Sequence, residues 1–123
     1  MIENDISYKI IGVAFKIHST FGSGLLESVY KELLYHHLQK TGMTVSKEIA
    51  IPLITEEVKL DCGFRIDLLV NNKVVIEVKS VEAIHRNHVA QTLTYLQLGG
   101  YKLGLILNFG EKDLKKGIKR LVL

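Results

Sequence analysis

The sequence contains little cysteine and no long apolar run, and each shortage excludes something. Cys62 is the only cysteine, which excludes a disulfide within the chain and a zinc site built on several cysteines. The most apolar stretch, residues 103–109, is far shorter than a membrane span. The N-terminal residues include early acidic side chains and form no long apolar segment. We therefore expect a soluble protein in a reducing, cytoplasmic setting, with no membrane partner.

Several patterns that mark enzyme classes are also missing. The chain has no Gly-rich phosphate loop, no evident Ser-His-Asp set and no Cys-His pair, so those classes are not supported. Charge of one sign is not strongly in excess either. Sixteen basic and thirteen acidic side chains give a net charge of +3, a mild bias that suits a polyanion without requiring one.

The length and apolar content indicate one compact domain. The chain has 123 residues, of which 47% are hydrophobic, enough for a core but too few for two ordinary domains. We expect a single domain over residues 1–123.

The first forty residues predict two helices. Asn4 or Asp5 is suited to cap the first helix, and apolar residues then recur at helical spacing until Gly22. A second apolar stripe covers residues 25–40 and is closed by Gly42, in the place that a helix end prefers.

The middle of the chain predicts strands. Alternation of apolar and polar residues begins near Val45 and runs to Pro52, the single proline, which indicates an edge or a bend. Two further runs, residues 64–70 and 74–79, flank Asn71 and Asn72, which tolerate left-handed backbone geometry. We expect these two runs to form a hairpin.

The last forty residues predict a helix, a strand and a helix. A helical pattern after Ser80 ends at the Gly99-Gly100 pair, and residues 101–109 are typical of a buried strand. Residues 112–121 predict a short helix with a basic face. The order ααβββαβα indicates an α/β fold with a central mixed sheet flanked by helices.

The faces of the hairpin can be assigned by parity. Six aliphatic residues share the core side: Ile66, Leu68, Val70, Val74, Ile76 and Val78. A two-residue turn would pair Asp67 with Ile76 and separate these sets. A three-residue loop, 71–73, keeps them together and places Asp67 directly across from Glu77. Two like charges held about 5 Å apart are costly unless a proton or a cation lies between them.

Lys79 completes this polar group, because it lies two residues beyond Glu77 on the same face. Two carboxylates and one ammonium around one point suit Mg²⁺ or Mn²⁺ and a polarised water. The alternative is a solvated, salt-bridged face of an amphipathic hairpin, formed by these residues with Arg65.

The sequence resembles the GxxExxY proteins of the PD-(D/E)XK nuclease superfamily. The naming motif stands as Gly24-Leu25-Leu26-Glu27-Ser28-Val29-Tyr30. The catalytic core of the superfamily matches Asp67 followed by Glu77-Val78-Lys79, a Gln-x-x-x-Tyr element matches Gln91 to Tyr95, and the ending GLILNFG matches residues 104–110. The superfamily's proline before the catalytic aspartate is Ile66 here.

The resemblance implies a restriction-endonuclease-like core and a metal-dependent nuclease that hydrolyses phosphodiester bonds of DNA or RNA with Mg²⁺ or Mn²⁺. It implies that Asp67, Glu77 and the carbonyl of Val78 bind the metal, and that Lys79 orients or deprotonates the attacking water. Glu27 would supply a further acidic group at the edge of the site.

Other candidate residues lie on the later helices. His88, Gln91 and Tyr95 are spaced to form one polar stripe, which either faces solvent or lines the site. The resemblance implies that Gln91, as a catalytic residue, and Tyr95 contact the phosphate or the attacking water, and His88 is a further candidate for substrate contact. Lys112 and Lys116 belong to the basic face of the last predicted helix, which is either solvated or a patch that contacts phosphate. For Tyr30 we expect a packing role with a hydrogen-bonding hydroxyl.

Two hypotheses remain open. The intact set of Asp67, Glu77 and Lys79 favours a nuclease, since a retired site has no evident reason to keep an uncompensated carboxylate pair. The lack of a separate DNA-recognition domain favours a non-catalytic nucleic-acid-binding or protein-binding module that retains the nuclease fold. A homodimer is a reasonable expectation, because a domain this small covers little duplex alone.

Overall fold

A computed structural model describes residues 2–61 and 63–123, so Cys62 lies outside the described part. The elements are α1 (Glu3–Phe21), α2 (Glu27–Lys40), β1 (Val45–Ala50), β2 (Leu53–Ile54), β3 (Lys59–Leu60), β4 (Arg65–Val70), β5 (Val74–Lys79), α3 (Arg86–Gly99), β6 (Leu103–Asn108), a 3₁₀ helix (Leu114–Gly117) and β7 (Ile118–Val122). None of the helices in residues 2–61 and 63–123 is both long and apolar enough to cross a membrane.

The central sheet has five strands in the order β1-β4-β5-β6-β7. Strands β5 and β6 run parallel, and the other neighbouring pairs run antiparallel. Strands β2 and β3 form a separate small hairpin between β1 and β4. The predicted α/β fold with a central mixed sheet flanked by helices is confirmed.

Two hydrophobic clusters lie on opposite faces of this sheet. The larger cluster joins α1 and α2 to the sheet, and the smaller one joins α3 to it. Five of the six aliphatic residues assigned to one face lie in the larger cluster, as predicted: Leu68, Val70, Val74, Ile76 and Val78. The sixth, Ile66, lies in the smaller cluster; at this position β4 pairs with β1 and no longer with β5.

The hairpin loop has the odd length that parity requires. Val70 pairs with Val74 and Leu68 pairs with Ile76, leaving three residues, 71–73, in the loop. Asn71 and Asn72 both adopt left-handed backbone angles, with φ of 52° and 56°. Five of the six aliphatic residues that the sequence places on one face therefore stay on it, and Ile66 is the exception.

The predicted cap of α1 is wrong. The helix begins at Glu3, and its N-cap is Ile2, without a side-chain hydrogen bond. Asn4 and Asp5 therefore lie inside the first turn, where the carboxylate of Asp5 still interacts favourably with the helix dipole. The predicted end of α1 is confirmed, since Gly22 follows it with a φ of 73°.

The predicted C-terminal helix over residues 112–121 is also wrong. The chain forms a 3₁₀ helix and then strand β7, which pairs antiparallel with β6. Ile118 packs against the larger cluster and Leu121 against the smaller one. Their spacing of three residues imitates a helix, but it arises here because both faces of β7 meet apolar side chains.

Candidate active site

The β4–β5 ladder opens into a fork at Asp67 and Glu77. Regular pairing ends at Leu68–Ile76, and the two carboxylates occupy the gap beyond it. The backbone N–H of Asp67 donates to Oε2 of Glu77 at 2.8 Å, and the backbone N–H of Val78 donates to Oδ2 of Asp67 at 2.8 Å. Each carboxylate therefore replaces a carbonyl as the acceptor for an amide of the facing strand.

Both carboxylates are partly removed from water. Glu77 is only 3% exposed, and burial together with the Asp67 carboxylate raises the pKa of Glu77 to about 8. Burial also raises the pKa of Asp67, against the hydrogen bond from Val78 and the positive charges of Lys31 and Lys79. At neutral pH the pair therefore holds a proton or attracts a cation.

Lys79 lies at the end of β5 and is partly exposed. Its positive charge lowers the pKa of both Asp67 and Glu77, so its ammonium lies within electrostatic reach of both. The structure thus brings Asp67, Glu77 and Lys79 close together, and the chemical roles given to them in the sequence analysis stay predictions.

The segment before Glu27 is tied to the end of β5. The hydroxyl of Ser80 donates to the Leu25 carbonyl at 3.0 Å, and the N–H of Leu25 donates to the Tyr30 hydroxyl at 3.1 Å. The Tyr30 ring is fully buried and stacks on Phe109 with centroids 4.4 Å apart. These contacts set α2 beside the fork, where the exposed carboxylate of Glu27 raises the pKa of Glu77. Tyr30 therefore packs in the core and forms a hydrogen bond through its hydroxyl, as expected from the sequence.

The loop after Lys79 is held by Asn108, which the sequence reading missed. Its side-chain oxygen accepts the N–H of Val81 and its side-chain nitrogen donates to the carbonyl of Val81, each at 3.0 Å. A Cβ at Gly110 would lie 2.3 Å from that same carbonyl oxygen, so the close approach requires glycine. The asparagine and glycine of the NFG segment were visible in the sequence, but nothing local indicated their partner.

Helix α3 does not present a single polar stripe. Gln91 is exposed, but Tyr95 is only 4% exposed and packs against Phe64 in the smaller cluster. Burial and the charge of Glu77 raise the pKa of Tyr95, so its hydroxyl lies near the carboxylates from inside the core. The stripe prediction failed because α3 buries the side that carries both Tyr95 and Leu96.

His88 belongs to a reciprocal cap at the start of α3. Its Nδ1 accepts the N–H of His85 at 3.0 Å, while Nδ1 of His85 accepts the N–H of Asn87 at 3.1 Å. Burial and the charge of Lys79 lower the pKa of His88. A neutral His88 with Nδ1 as acceptor carries its proton on Nε2, which leaves one donor available beside Lys79.

Two further residues that the sequence reading missed lie on the other side of Asp67. Lys31 forms an ion pair with Glu48 at 3.1 Å, and both charges act on the Asp67 carboxyl. Their approach depends on how α2 packs across β1, which no local pattern reveals.

The basic face of a C-terminal helix does not exist as predicted, because there is no such helix. Lys112 lies in the turn after β6 and Lys116 in the 3₁₀ helix, and both are exposed. This segment leaves β6 beside Lys79, which pairs with Asn108. The two lysines thus lie beyond the same end of the sheet as the fork.

The fork provides hard oxygen atoms for a metal ion. In the described residues, Oδ1 of Asp67 and Oε1 of Glu77 accept no hydrogen bond, and no group of three or more His, Cys, Asp or Glu side chains is placed to hold a metal. Two carboxylates completed by water and a backbone carbonyl fit Mg²⁺, which usually keeps several waters. A cavity of about 420 Å³ lies elsewhere, between α1 and α2, and shares no residue with the fork.

Comparison with known proteins gives one result. The profile of the PD-(D/E)XK nuclease superfamily matches residues 4–121. No curated protein and no solved structure matches the chain significantly. Nucleases of this superfamily generally use divalent metal ions. A match that covers nearly the whole chain, over a fork with these two carboxylates and a lysine, leads to the conclusion that the chain belongs to the PD-(D/E)XK nuclease superfamily.

Proposed function

We propose that this chain is a divalent-metal-dependent nuclease that hydrolyses phosphodiester bonds of DNA or RNA, within the GxxExxY group of its superfamily. The observation that carries the proposal is the facing pair of Asp67, which is half-buried, and Glu77, which is buried. The pair uses one oxygen of each carboxylate for the backbone and leaves the other oxygen of each available. Such a pair binds a cation more readily than it tolerates two uncompensated charges.

The metal is Mg²⁺ or Mn²⁺, held by Asp67, Glu77 and the carbonyl of Val78. When bound, the ion polarises the phosphate and lowers the pKa of a coordinated water. The chain supplies the rest of the chemistry through Lys79. As an ammonium, Lys79 orients the attacking water and stabilises charge that develops at phosphorus, whereas as a neutral amine it would instead accept a proton from that water.

The surrounding residues position the substrate. The exposed carboxylate of Glu27 lies at the edge of the site, and the exposed side chain of Gln91 and the Nε2 of His88 are suited to donate to phosphate oxygens. Tyr95 has little surface left for a substrate, because it is buried against Phe64. We therefore assign Tyr95 the task of holding α3 against the sheet beside Glu77.

Lys112 and Lys116 contact the phosphate backbone beyond the scissile bond, since both are exposed at the end of the sheet that carries Lys79. A homodimer is proposed for the active species, because a domain of 123 residues covers little duplex alone. Its mass in solution, measured by light scattering, tests this.

A cleavage assay tests the nuclease proposal. Wild type is incubated with single-stranded and double-stranded DNA and RNA in Mg²⁺ or Mn²⁺, and compared with Asp67→Ala. We expect cleavage that a chelator abolishes and that Asp67→Ala loses. The matched control is Asp5→Ala, which removes an exposed carboxylate from α1 and should leave cleavage unchanged.

Lys79→Ala separates metal binding from catalysis in the same assay. Turnover should fall by roughly 10²-fold or more, the scale of a lost charge-stabilising group, while Mn²⁺ binding stays intact or tightens. If wild type binds nucleic acid but cuts none of the four substrates with either metal, the non-catalytic module replaces the nuclease.

A further inference from the structure

The ammonium of Lys31 acts on Asp67 from the side of β4 that faces β1, away from Glu77 on β5. Lys31 lies on α2 one turn after Glu27, so the two side chains share a face of the helix. The Lys31 ammonium pairs with Glu48 at 3.1 Å, and only 17% of the Lys31 side chain is exposed. The Glu48 side chain is 58% exposed, so the pair is sheltered on the Lys31 side and open to solvent on the Glu48 side.

The backbone at Glu48 is unusual. The β1–β4 ladder runs through Lys47–Leu68 and Ile49–Ile66 but omits the intervening pair of Glu48 and Asp67. Glu48 has a φ of 55°, a left-handed angle that is uncommon and costly for glutamate. Asp67 therefore lacks a ladder partner on both sides, with Glu77 in one gap and Glu48 at the other.

Glu48, Asp67 and Glu77 thus stand at adjacent register positions on the neighbouring strands β1, β4 and β5, with Asp67 in the middle. The pKa of Asp67 responds to the charges of both Lys31 and Glu48, which supports their proximity. In nucleases that use two metal ions, the ions lie roughly 3.5–4 Å apart and share ligands. A second ion on the β1 side of Asp67, away from Glu27 and Glu77, would need Asp67 as the shared ligand and Glu48 as its other carboxylate.

We propose that Lys31 limits the centre to a single divalent metal ion by occupying, through its pairing with Glu48, the place where a second ion would bind. This inference rests on the proposed function, because it assumes the first ion at Asp67 and Glu77. Lys31 is a positioning residue, since its ammonium acts through Glu48 and Asp67 and not on the substrate. Replacing it with an uncharged side chain frees Glu48 and creates a second pair of hard oxygen ligands.

The stoichiometry of Mn²⁺ binding tests the inference. Isothermal titration calorimetry on full-length wild type, without substrate, should give one Mn²⁺ per chain, and Lys31→Met or Lys31→Gln should give two. Lys31→Arg keeps the charge and should give one. The double variant Lys31→Met with Glu48→Gln removes the new ligand and should return to one.

Lys47→Met is the matched control, because Lys47 also pairs with a glutamate, Glu32, at 2.9 Å, but its side chain is 39% exposed. It should bind one Mn²⁺. Thermal melting of every variant establishes that each is folded. If one of the two uncharged Lys31 variants does not fold, the other alone is sufficient for the test.

The outcomes separate the two proposals. If wild type binds no Mn²⁺, the metal site of the proposed function fails and the inference fails with it. If wild type and both uncharged Lys31 variants each bind one ion, the inference alone is overturned. Two ions in wild type would overturn it as well, while leaving metal dependence in place.

Discussion

At the scale of single residues, Glu77 links the protonation of the site to the stability of the fold. Its pKa is about 8 in the folded protein, against an ordinary value of 4.5. Between those values the folded protein keeps a proton that the unfolded chain has released. The free energy of unfolding of the metal-free protein should therefore fall as pH rises from about 4.5 to about 8, and level off above that.

Chemical denaturation across this pH range, in the presence of a chelator, measures the effect. Glu77→Gln should remove most of the decline, because glutamine does not titrate. The difference between the two proteins measures the titration of the Glu77–Asp67 pair, because the raised pKa of Asp67 acts in the same direction and depends on its neighbour, whereas the lowered pKa of His88 acts in the opposite direction in both proteins. Identical pH profiles for the two proteins would mean that Glu77 is not shifted.

Sequence reasoning could place Asp67 against Glu77 because side-chain parity along a strand is a local property. It could not give their bonds to backbone amides, since these require the two strands to separate beyond Leu68–Ile76. Lys31 and Glu48 were missed for a related reason. They come from α2 and β1, and their meeting depends on tertiary packing that no spacing encodes.

At the scale of elements, the loop of the β4–β5 hairpin determines whether the carboxylates face each other. Asn72 is exposed and has a φ of 56°, an angle that costs most residues about 1–2 kcal/mol. Asn72→Ala should lower the free energy of unfolding by about 1 kcal/mol, or the melting temperature by roughly 4 °C. Asn72→Gly should not lower it, because glycine adopts this angle freely.

Asn87→Ala is the control, because Asn87 is also exposed but lies in helix α3 with an ordinary backbone. It should not reduce stability, since alanine favours helices. Equal losses for the alanine variants of Asn72 and Asn87 would argue against a conformational cause.

Predictions of elements succeeded where one face alone is apolar, and also for β6, whose continuous run is apolar on both faces, but failed for β7, where apolar and charged residues are mixed. Helices α1 and α2 each bury one stripe, and their periods identified them. Strand β7 places Ile118 and Leu121 in different clusters, so its pattern imitated a helix. The sequence carries no signal for which element a two-sided strand will join.

At the scale of the whole molecule, the topology brings the residues of the site together at one end of the sheet, where the strand termini meet. The directions of the strands bring together the C-terminal ends of β1, β5 and β6 and the N-terminal ends of β4 and β7. The segment with Lys112 and Lys116 leaves from this end. The cavity between α1 and α2, which Lys16 and Lys40 help to line, lies on the face of the sheet opposite to α3.

This arrangement predicts which lysines bind nucleic acid. Replacing both Lys112 and Lys116 with serine should weaken binding of unrelated sequences alike. It should also reduce the slope of log K against log salt by roughly one to two, since each lost phosphate contact contributes about 0.9. Fluorescence anisotropy over a salt series measures both quantities.

The control removes the same charge elsewhere, by replacing Lys16 and Lys40 with serine. Its slope should match that of wild type apart from a small effect of net charge. A slope that falls only in this control would place the nucleic acid on the α1–α2 side.

The gaps beside Asp67 also bear on how relatives of this protein should be read. Because Asp67 and Glu77 close a break in the sheet by accepting backbone amides, a descendant that abandons catalysis still has a structural reason to keep an oxygen at both positions. The sequence argument that a retired site has no reason to keep this carboxylate pair is therefore wrong, because both carboxylates accept backbone amides across the fork. The informative substitutions are Asp67→Asn and Glu77→Gln, which preserve the acceptors and discard the charge. A lineage that accumulates them has kept the architecture and given up the metal.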